Sequence, residues 1–225
     1  MNIRRDDGMA MVMAMAATLL TSALGVALVL ATSSEAVIAA NFRDQAAGAY
    51  AAEAAVERAL DDLAAAGNWY AVLNGTVRST FVDGAPGGMR VLADGSTIDL
   101  GHIVNVADCD KIQPCTDADM DAVTAQRPWG PNNPRWQLYA YGRLKDLLPN
   151  ESIDSPYYVS VLVGDDLSET DARPLEDGQA AGAGILMLRA ESFGPRGVHM
   201  SVEMTVARPA AGQPGLRVLS WREVR

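Results

Sequence analysis

The stretch that decides the fold is MAMVMAMAATLLTSALGVALVLA, residues 9–31, which follows the polar leader MNIRRDDG, residues 1–8, without a break. It contains no charged side chain, and the first charge after Gly8 belongs to Glu35. A secretory signal peptide has a shorter apolar core, roughly 7–15 residues, followed by a small-residue cleavage site. Residues 9–31 instead reach the ~20 residues that a helix needs to cross a bilayer. The sequence therefore predicts that this segment stays in the product as a membrane-spanning helix.

The helical pattern continues beyond the apolar segment. Residues 34–66 contain no proline and a single glycine, and Gly67 with Asn68 supplies a stop signal. Apolar side chains recur there at steps of three and four, at Ile38, Phe42, Ala46, Ala49, Val56, Leu60 and Leu63. This spacing is typical of an amphipathic helix. We expect one helix over about residues 9–66, with its amphipathic part at 32–66, followed by a head domain at 67–225.

The head domain has the patterns of an antiparallel sheet. From Val198 to Val206 apolar and polar residues alternate, which predicts a strand with one buried face. Residues 185–193 predict its partner, since Gly194-Pro195-Arg196-Gly197 between them has the composition of a hairpin turn. Further strands are predicted at 136–141, 157–163 and 218–224. The fold class is therefore α+β, with a long N-terminal helix packed on an antiparallel sheet of four to five strands.

The region between residues 68 and 134 has weaker patterning. GAPGG at 84–88 and GPNNP at 130–134 predict loops, while 89–93 and 98–106 are interpreted as short strands. Loops carried by a rigid scaffold are the usual place for external contacts. Trp129, Trp136 and the loop between Cys109 and Cys115 are the candidates for such contacts, although both tryptophans also suit core or loop packing.

These residues together resemble the type IV pilins, and among them the minor pilins of the PilX type. The resemblance lies in the leader that ends at Gly8, in SSEAVIAANFRDQAAGAYAAEAAVERAL at 33–60, and in the closing segments GILMLRAESFGPRGVHMSVEMTVAR and SWREVR. It implies cleavage by prepilin peptidase between Gly8 and Met9, with Met9 as the N-methylated first residue. It also implies a subunit of the inner membrane, with a periplasmic head, that later enters an extracellular pilus.

The implied partners are other pilins through the N-terminal helix, the inner membrane before assembly, prepilin peptidase and the pilus assembly machinery. The chain departs from the family at the fifth mature position, where most pilins have glutamate and this sequence has Met13. That departure favours a rare or tip subunit over a shaft subunit. A pseudopilin of a type II secretion system is the alternative, followed by a membrane-anchored envelope enzyme or receptor.

Composition excludes some function classes. The net charge of −10 and the pI near 4.6 argue against a nucleic-acid-binding surface, and Lys111 and Lys145 are the only lysines. Nucleophile-elbow, zinc-protease and phosphate-loop motifs are absent, and two histidines leave little for acid–base chemistry. We therefore predict no enzyme, no catalytic residues and no cofactor.

Two clusters carry specific chemistry. Cys109 and Cys115 lie six positions apart with a proline between them, and in an oxidising compartment they suit a disulfide. A zinc pair needs further ligands than His102 and His199 readily supply, and free thiols are the other alternative. The acidic segment at 165–177 suits either a solvated loop or a Ca²⁺ site without the EF-hand order.

Overall fold

The computed structural model describes residues 6–126, 135–148, 154–166, 184–208 and 215–224. The chain falls into two compact units, Met1–Asp44 and Gln45–Arg225, which meet inside the first helix. That helix, α1, runs from Asp6 to Ala65. The predicted stop at Gly67 and Asn68 is confirmed, because Asn68 caps the next short helix instead, accepting a hydrogen bond from the Ala71 N–H.

The first unit consists of the N-terminal part of α1. Among the described residues, α1 alone is long and apolar enough to cross a membrane, with a mean hydropathy of 2.1 over its most apolar window. No residue of that window is buried by the protein itself. The prediction of an N-terminal helix long and apolar enough to cross a membrane is therefore confirmed.

The α-helices and strands after α1 are α2 (Trp69–Leu73), β1 (Met89–Val91), β2 (Thr97–Asp99), α3 (Leu100–Cys109), α4 (Asp117–Ala125), β3 (Gln137–Arg143), β4 (Tyr158–Asp165), β5 (Ile185–Phe193), β6 (His199–Ala207) and β7 (Arg217–Val224). The second unit is built around a five-stranded antiparallel sheet in the order β3-β4-β5-β6-β7. Each of its strands pairs with its sequence neighbour. The other elements after α1 precede this sheet in the chain and include a two-stranded sheet, β1-β2. The predicted α+β class and all five predicted strands of the large sheet are confirmed.

One face of the large sheet packs on the second part of α1. The buried residues of α1 are small or medium apolar ones at steps of three and four: Ala51, Ala52, Ala55, Val56, Ala59 and Leu63. They share a core with alternate residues of β4, β5 and β6, such as Val161, Leu188 and Val202. Alanines let the helix approach the sheet closely, and Ser192 Oγ on β5 donates a hydrogen bond of 2.7 Å to the Gly48 carbonyl. Full burial therefore begins at Gly48, whereas the predicted stripe residues Ile38 and Phe42 are exposed.

The opposite face of the sheet is covered in part by α3. Leu100 and Ile103 of α3 form a second core with Leu138, Tyr158 and Leu162 of the sheet, among others. The interpretation of 98–106 as a strand is therefore wrong beyond Asp99. The Asp99 carboxylate accepts a 2.7 Å hydrogen bond from the Gly101 N–H and starts a helix there. The three-residue spacing of Leu100 and Ile103 was the local signal for that helix.

The β5–β6 hairpin forms as the sequence predicts. Gly194 and Val198 close it through a hydrogen bond of 2.8 Å from the Gly194 N–H to the Val198 carbonyl. A Cβ at Gly194 would lie 2.3 Å from Tyr157 Cε1, so that position has room only for glycine. Arg196 and Gly197 both take positive φ, 59° and 74°, and this left-handed turn reverses the chain.

Candidate functional site

The predicted processing junction lies inside α1. The helix begins at Asp6, three residues before the expected start at Met9, so Gly8 and Met9 have helical backbone. A Cβ at Gly8 would meet nothing within 4 Å, so the packing of this chain does not explain the glycine. The role of Gly8 and Met9 in processing stays a prediction.

The apolar segment of α1 presents its side chains outward along its whole length. Residues 9–34 are all exposed. Five hydroxyl groups within residues 9–34 donate hydrogen bonds to carbonyls three or four residues earlier, those of Thr18, Thr21, Thr32, Ser33 and Ser34. Such bonds satisfy a hydroxyl within its own helix and leave an apolar exterior. The segment can therefore lie in lipid or against other apolar helices.

Met13 lies within this exposed surface, about one helical turn after Met9. Its side chain is solvent-exposed and carries no charge, and the segment has no titratable side chain between Gly8 and Glu35. The side chains of this segment therefore contribute no ion pair to helix contacts, and they act through shape and van der Waals packing.

The loop between Cys109 and Cys115 is closed by a disulfide. The Cα atoms lie 6.1 Å apart, and no free cysteine remains. Asp110 after α3 takes a left-handed conformation, and the Asn105 side-chain amide braces the loop with a 2.9 Å hydrogen bond to the Ile112 carbonyl. A disulfide on so short a loop contributes about 2 kcal/mol to stability. Most of the loop is exposed, as a contact surface requires.

Polar contacts anchor this loop to α4. Thr116 and Asp119 cap the helix reciprocally, with the Thr116 N–H donating to Asp119 at 3.0 Å and the Asp119 N–H donating to Thr116 Oγ1 at 3.2 Å. Lys111 also bonds to the Asp119 carboxylate. The Lys111 ammonium and the Thr116 hydrogen bonds lower the pKa of Asp119 to about 2. Lys111, one of the two lysines of the chain, is thus engaged in an ion pair that holds the loop to α4.

Trp136 is a core residue and is not available for external contact. It is 4% exposed and packs with Leu100 and Leu138. Its backbone N–H donates a 2.8 Å hydrogen bond to the Asp108 carboxylate, whose burial raises its pKa to about 6. The core alternative for Trp136 is therefore correct. Trp129 and the GPNNP segment lie outside the described residues.

The acidic segment is described only at its first two residues. Asp165 and Asp166 are both buried at the end of β4. The rest of the predicted calcium segment, 167–177, lies outside the described residues. Within the described ranges, no group of three or more histidine, cysteine, aspartate or glutamate side chains is placed to hold a metal ion. The calcium alternative therefore has no support from the described part of the chain.

A charged ladder crosses the sheet on the face that α3 covers only in part. Arg189 Nε bonds to Glu191 at 2.8 Å and Arg189 Nη1 lies 3.7 Å from Glu203, which also binds Arg222 of β7. His199 Nε2 lies 3.0 Å from Glu191, and its ring stacks on Phe193. Burial acts to raise the pKa of Glu191, but His199 and Arg189 outweigh it and the pKa is lowered.

The sequence predicted a polar face for β6 but not this ladder. The alternation of apolar and polar residues predicts which side chains share a face of the sheet. The pairing register of neighbouring strands, which the sequence pattern does not give, places Glu203 beside both Arg189 and Arg222. The ladder satisfies buried carboxylates within the protein, so we assign it a structural role.

The described residues thus include an exposed apolar helix segment and a head whose charged ladder and disulfide loop are held by contacts within the head. Neither a protein-family model, nor a curated protein, nor a solved structure matches this chain.

Proposed function

We propose that this chain is a minor pilin of the PilX type, a structural subunit that enters a type IV pilus after prepilin peptidase cuts between Gly8 and Met9. Before assembly, residues 9–31 anchor it in the bacterial inner membrane and the head is periplasmic. After assembly, the same residues pack among the helices of other pilins and the head faces outward, supporting pilus assembly, adhesion or aggregation.

One observation supports this proposal above the others. The charge-free part of α1 is exposed throughout, and the same helix continues into residues that form the core of a sheet domain. A simple membrane anchor needs no such continuation, because a flexible linker is enough to hold a domain near a bilayer. In a filament subunit, by contrast, one helix supplies both the surface that packs in the filament and part of the core of the head.

The assembly step follows from the surface of the apolar segment. Lipid tails are as apolar as leucine, so helices gain little hydrophobic energy by leaving the bilayer for a bundle. Close packing supplies the energy instead, and small residues such as Ala14, Ala17 and Gly25 on this segment allow neighbouring backbones to approach. Hydroxyls already satisfied within the helix do not oppose the transfer.

The first experiment is the mass of the N-terminal peptide of protein purified from membranes of a host with prepilin peptidase, beside a strain that lacks the enzyme. We expect a peptide that begins at methylated Met9 and disappears in the strain without the peptidase. A Gly8→Leu variant is expected to remain uncleaved, while the matched Gly25→Leu variant is cleaved normally. A terminus at Met1 in both strains, or normal cleavage of Gly8→Leu, contradicts the proposal.

Met13 favours a second candidate, a pseudopilin of a type II secretion system. A subunit without the usual glutamate suits a position where a neighbour's amine need not be neutralised, as at a tip. Cleavage at Gly8 is expected in both cases, so the test is location. Detection of the chain in sheared surface pili supports the pilin, whereas absence from pili together with loss of protein secretion on deletion supports the pseudopilin.

A further inference from the structure

The two edges of the large sheet differ in whether another segment of the chain covers them. The outer edge of β3 is covered by the segment 79–83, through hydrogen bonds such as the 3.1 Å bond from the Ser79 N–H to the Tyr139 carbonyl and the 3.0 Å bond from the Tyr141 N–H to the Phe81 carbonyl. At the other end, β7 pairs with β6 alone, and within the described ranges no strand lies on its outer side. An open edge presents backbone donors and acceptors that can pair with another chain.

Strand β7 is also exposed on its faces. Seven of its eight residues are exposed and Val224 is intermediate, in contrast to the buried β4 and β5. Its exposed residues include Val218, Leu219 and Trp221, which are large and apolar. Natural proteins usually protect an edge strand with charges or a covering loop. Strand β7 does carry Arg217, Arg222 and Glu223, but its large apolar side chains remain exposed on an edge that no strand covers in the described part of the chain. Such an edge indicates a place where another segment docks.

Trp221 forms one wall of a groove between β7 and α1, which we call the β7 groove. The groove has a volume of about 380 Å³ and is lined by Tyr50, Glu53, Ala54, Val56, Glu57, Met204 and Trp221. Tyr50 and Trp221 are 70% and 49% exposed, although both are aromatic. All lining residues belong to the second compact unit.

The charges of the groove define what fits it. Glu53 and Glu57 line it, and in the described part of the chain neither carboxylate has a cationic partner, whereas Asp62 one turn further along α1 pairs with Arg58 at 3.2 Å. Two carboxylates beside two aromatic rings complement a cation. Arginine suits this better than lysine, because its planar guanidinium both stacks on aromatic rings and binds carboxylates in a bidentate manner.

The geometry points to a docking site for an extended, arginine-bearing protein segment that pairs with the open edge of β7 and places an arginine side chain in the β7 groove. Backbone pairing along β7 supplies affinity that is independent of sequence, and the groove supplies the preference for arginine. This surface belongs to the head alone, so it does not depend on whether the chain is a filament subunit.

The test uses the full chain in detergent micelles and a short capped peptide in which arginine and valine alternate with threonine. Binding is followed by fluorescence anisotropy of a labelled peptide. We expect Trp221→Ser to weaken binding by about three- to thirty-fold, the range of a cation–π contact. The double variant Glu53→Gln with Glu57→Gln is expected to weaken it by about two- to five-fold, since these charges are partly screened by solvent.

Two controls separate the parts of the site. Tyr70→Ser removes an exposed aromatic side chain outside the groove and is expected to leave binding unchanged. A peptide N-methylated at alternate backbone amides keeps its arginines but cannot pair as a strand, and we expect it not to bind. Equal affinity for the methylated peptide, unchanged affinity in both groove variants, or no binding by the unmodified chain each overturns the proposal.

Discussion

The two parts of α1 have similar residues but opposite surroundings. In residues 9–34, alanine, leucine and valine are all exposed, whereas in residues 48–63 a stripe of alanines with Val56 and Leu63 is buried by the sheet. The difference does not lie in hydrophobicity, because the exposed part is the more apolar one. It lies in whether this chain provides a partner surface. The second part is satisfied within the protein, and the first needs lipid or other helices.

The most direct test of this difference is to replace one leucine by alanine in each part of α1. Leu63→Ala opens a cavity in the core between α1 and the sheet and is expected to lower the free energy of unfolding of the head by about 2–5 kcal/mol. Leu24→Ala removes an exposed side chain and is expected to change it by less than about 0.5 kcal/mol. Urea unfolding of the full chain in micelles, followed by tryptophan fluorescence, measures both. Equal losses would show that the first part is also packed within the chain.

An arginine introduced into each part of α1 tests whether the first part lies in a bilayer. Leu20→Arg puts a cation near the middle of the apolar segment, where insertion is expected to cost about 2.5–3.5 kcal/mol. Ala64→Arg places the same charge at an exposed position near the C-terminal end of α1, where a cation is mildly favourable. Alkaline extraction of membranes is expected to release more of the first variant and the normal amount of the second. Full retention of Leu20→Arg argues against a bilayer position for residue 20.

Breaking the disulfide is expected to affect the head alone. Cys109→Ser with Cys115→Ser removes the closed loop, and we expect a loss of about 2 kcal/mol in unfolding free energy. Membrane extraction of the same variant should stay unchanged, because the loop lies after α3, far along the chain from residues 9–31. Intact mass after alkylation of the native wild type provides the control. Two alkylated thiols there would contradict the bond.

The smallest expected effect is the pH dependence of the free energy of unfolding of the head. Residues 9–34 contain no titratable side chain, so the first part of α1 does not contribute to it. Burial raises the pKa of Asp108 from 3.8 to about 6, so its charged form is disfavoured in the folded state. The contribution of Asp108 to the free energy of unfolding is therefore greatest below about pH 4, where its carboxyl group is protonated in both states. It is lost as the pH rises to about 6, the pKa in the folded state.

Asp108→Asn keeps an acceptor for the Trp136 N–H without the charge. We expect it to be more stable than the wild type by about 1 kcal/mol at pH 7 and equal to it near pH 3.5. Unfolding curves at several pH values measure this difference. A constant difference across the range would assign the effect to packing and leave the titration of Asp108 unsupported.

The sequence predicted most of the fold but less of the surface. Alternation located β6, and the turn composition at 194–197 located its hairpin partner β5. The absence of proline and the single glycine in residues 34–66 located the second part of α1. All these signals depend only on neighbours in the chain. The strand predicted at 98–106 was wrong, since the cap at Asp99 and the packing of Leu100 and Ile103 on the sheet favoured a helix. The contact candidate Trp136 proved to be core, and the open edge of β7 was not foreseen.

By itself, the sequence determined the membrane-compatible helix, the α+β class and the positions of the five strands, because these follow from local periodicity and chain breakers. Only the tertiary structure decided where burial of α1 begins, which charges meet in the ladder of Arg189, Glu191 and Glu203, and that β7 remains an open edge. The physical reason is that periodicity fixes the direction of each side chain, whereas burial and pairing depend on which distant segment arrives opposite it.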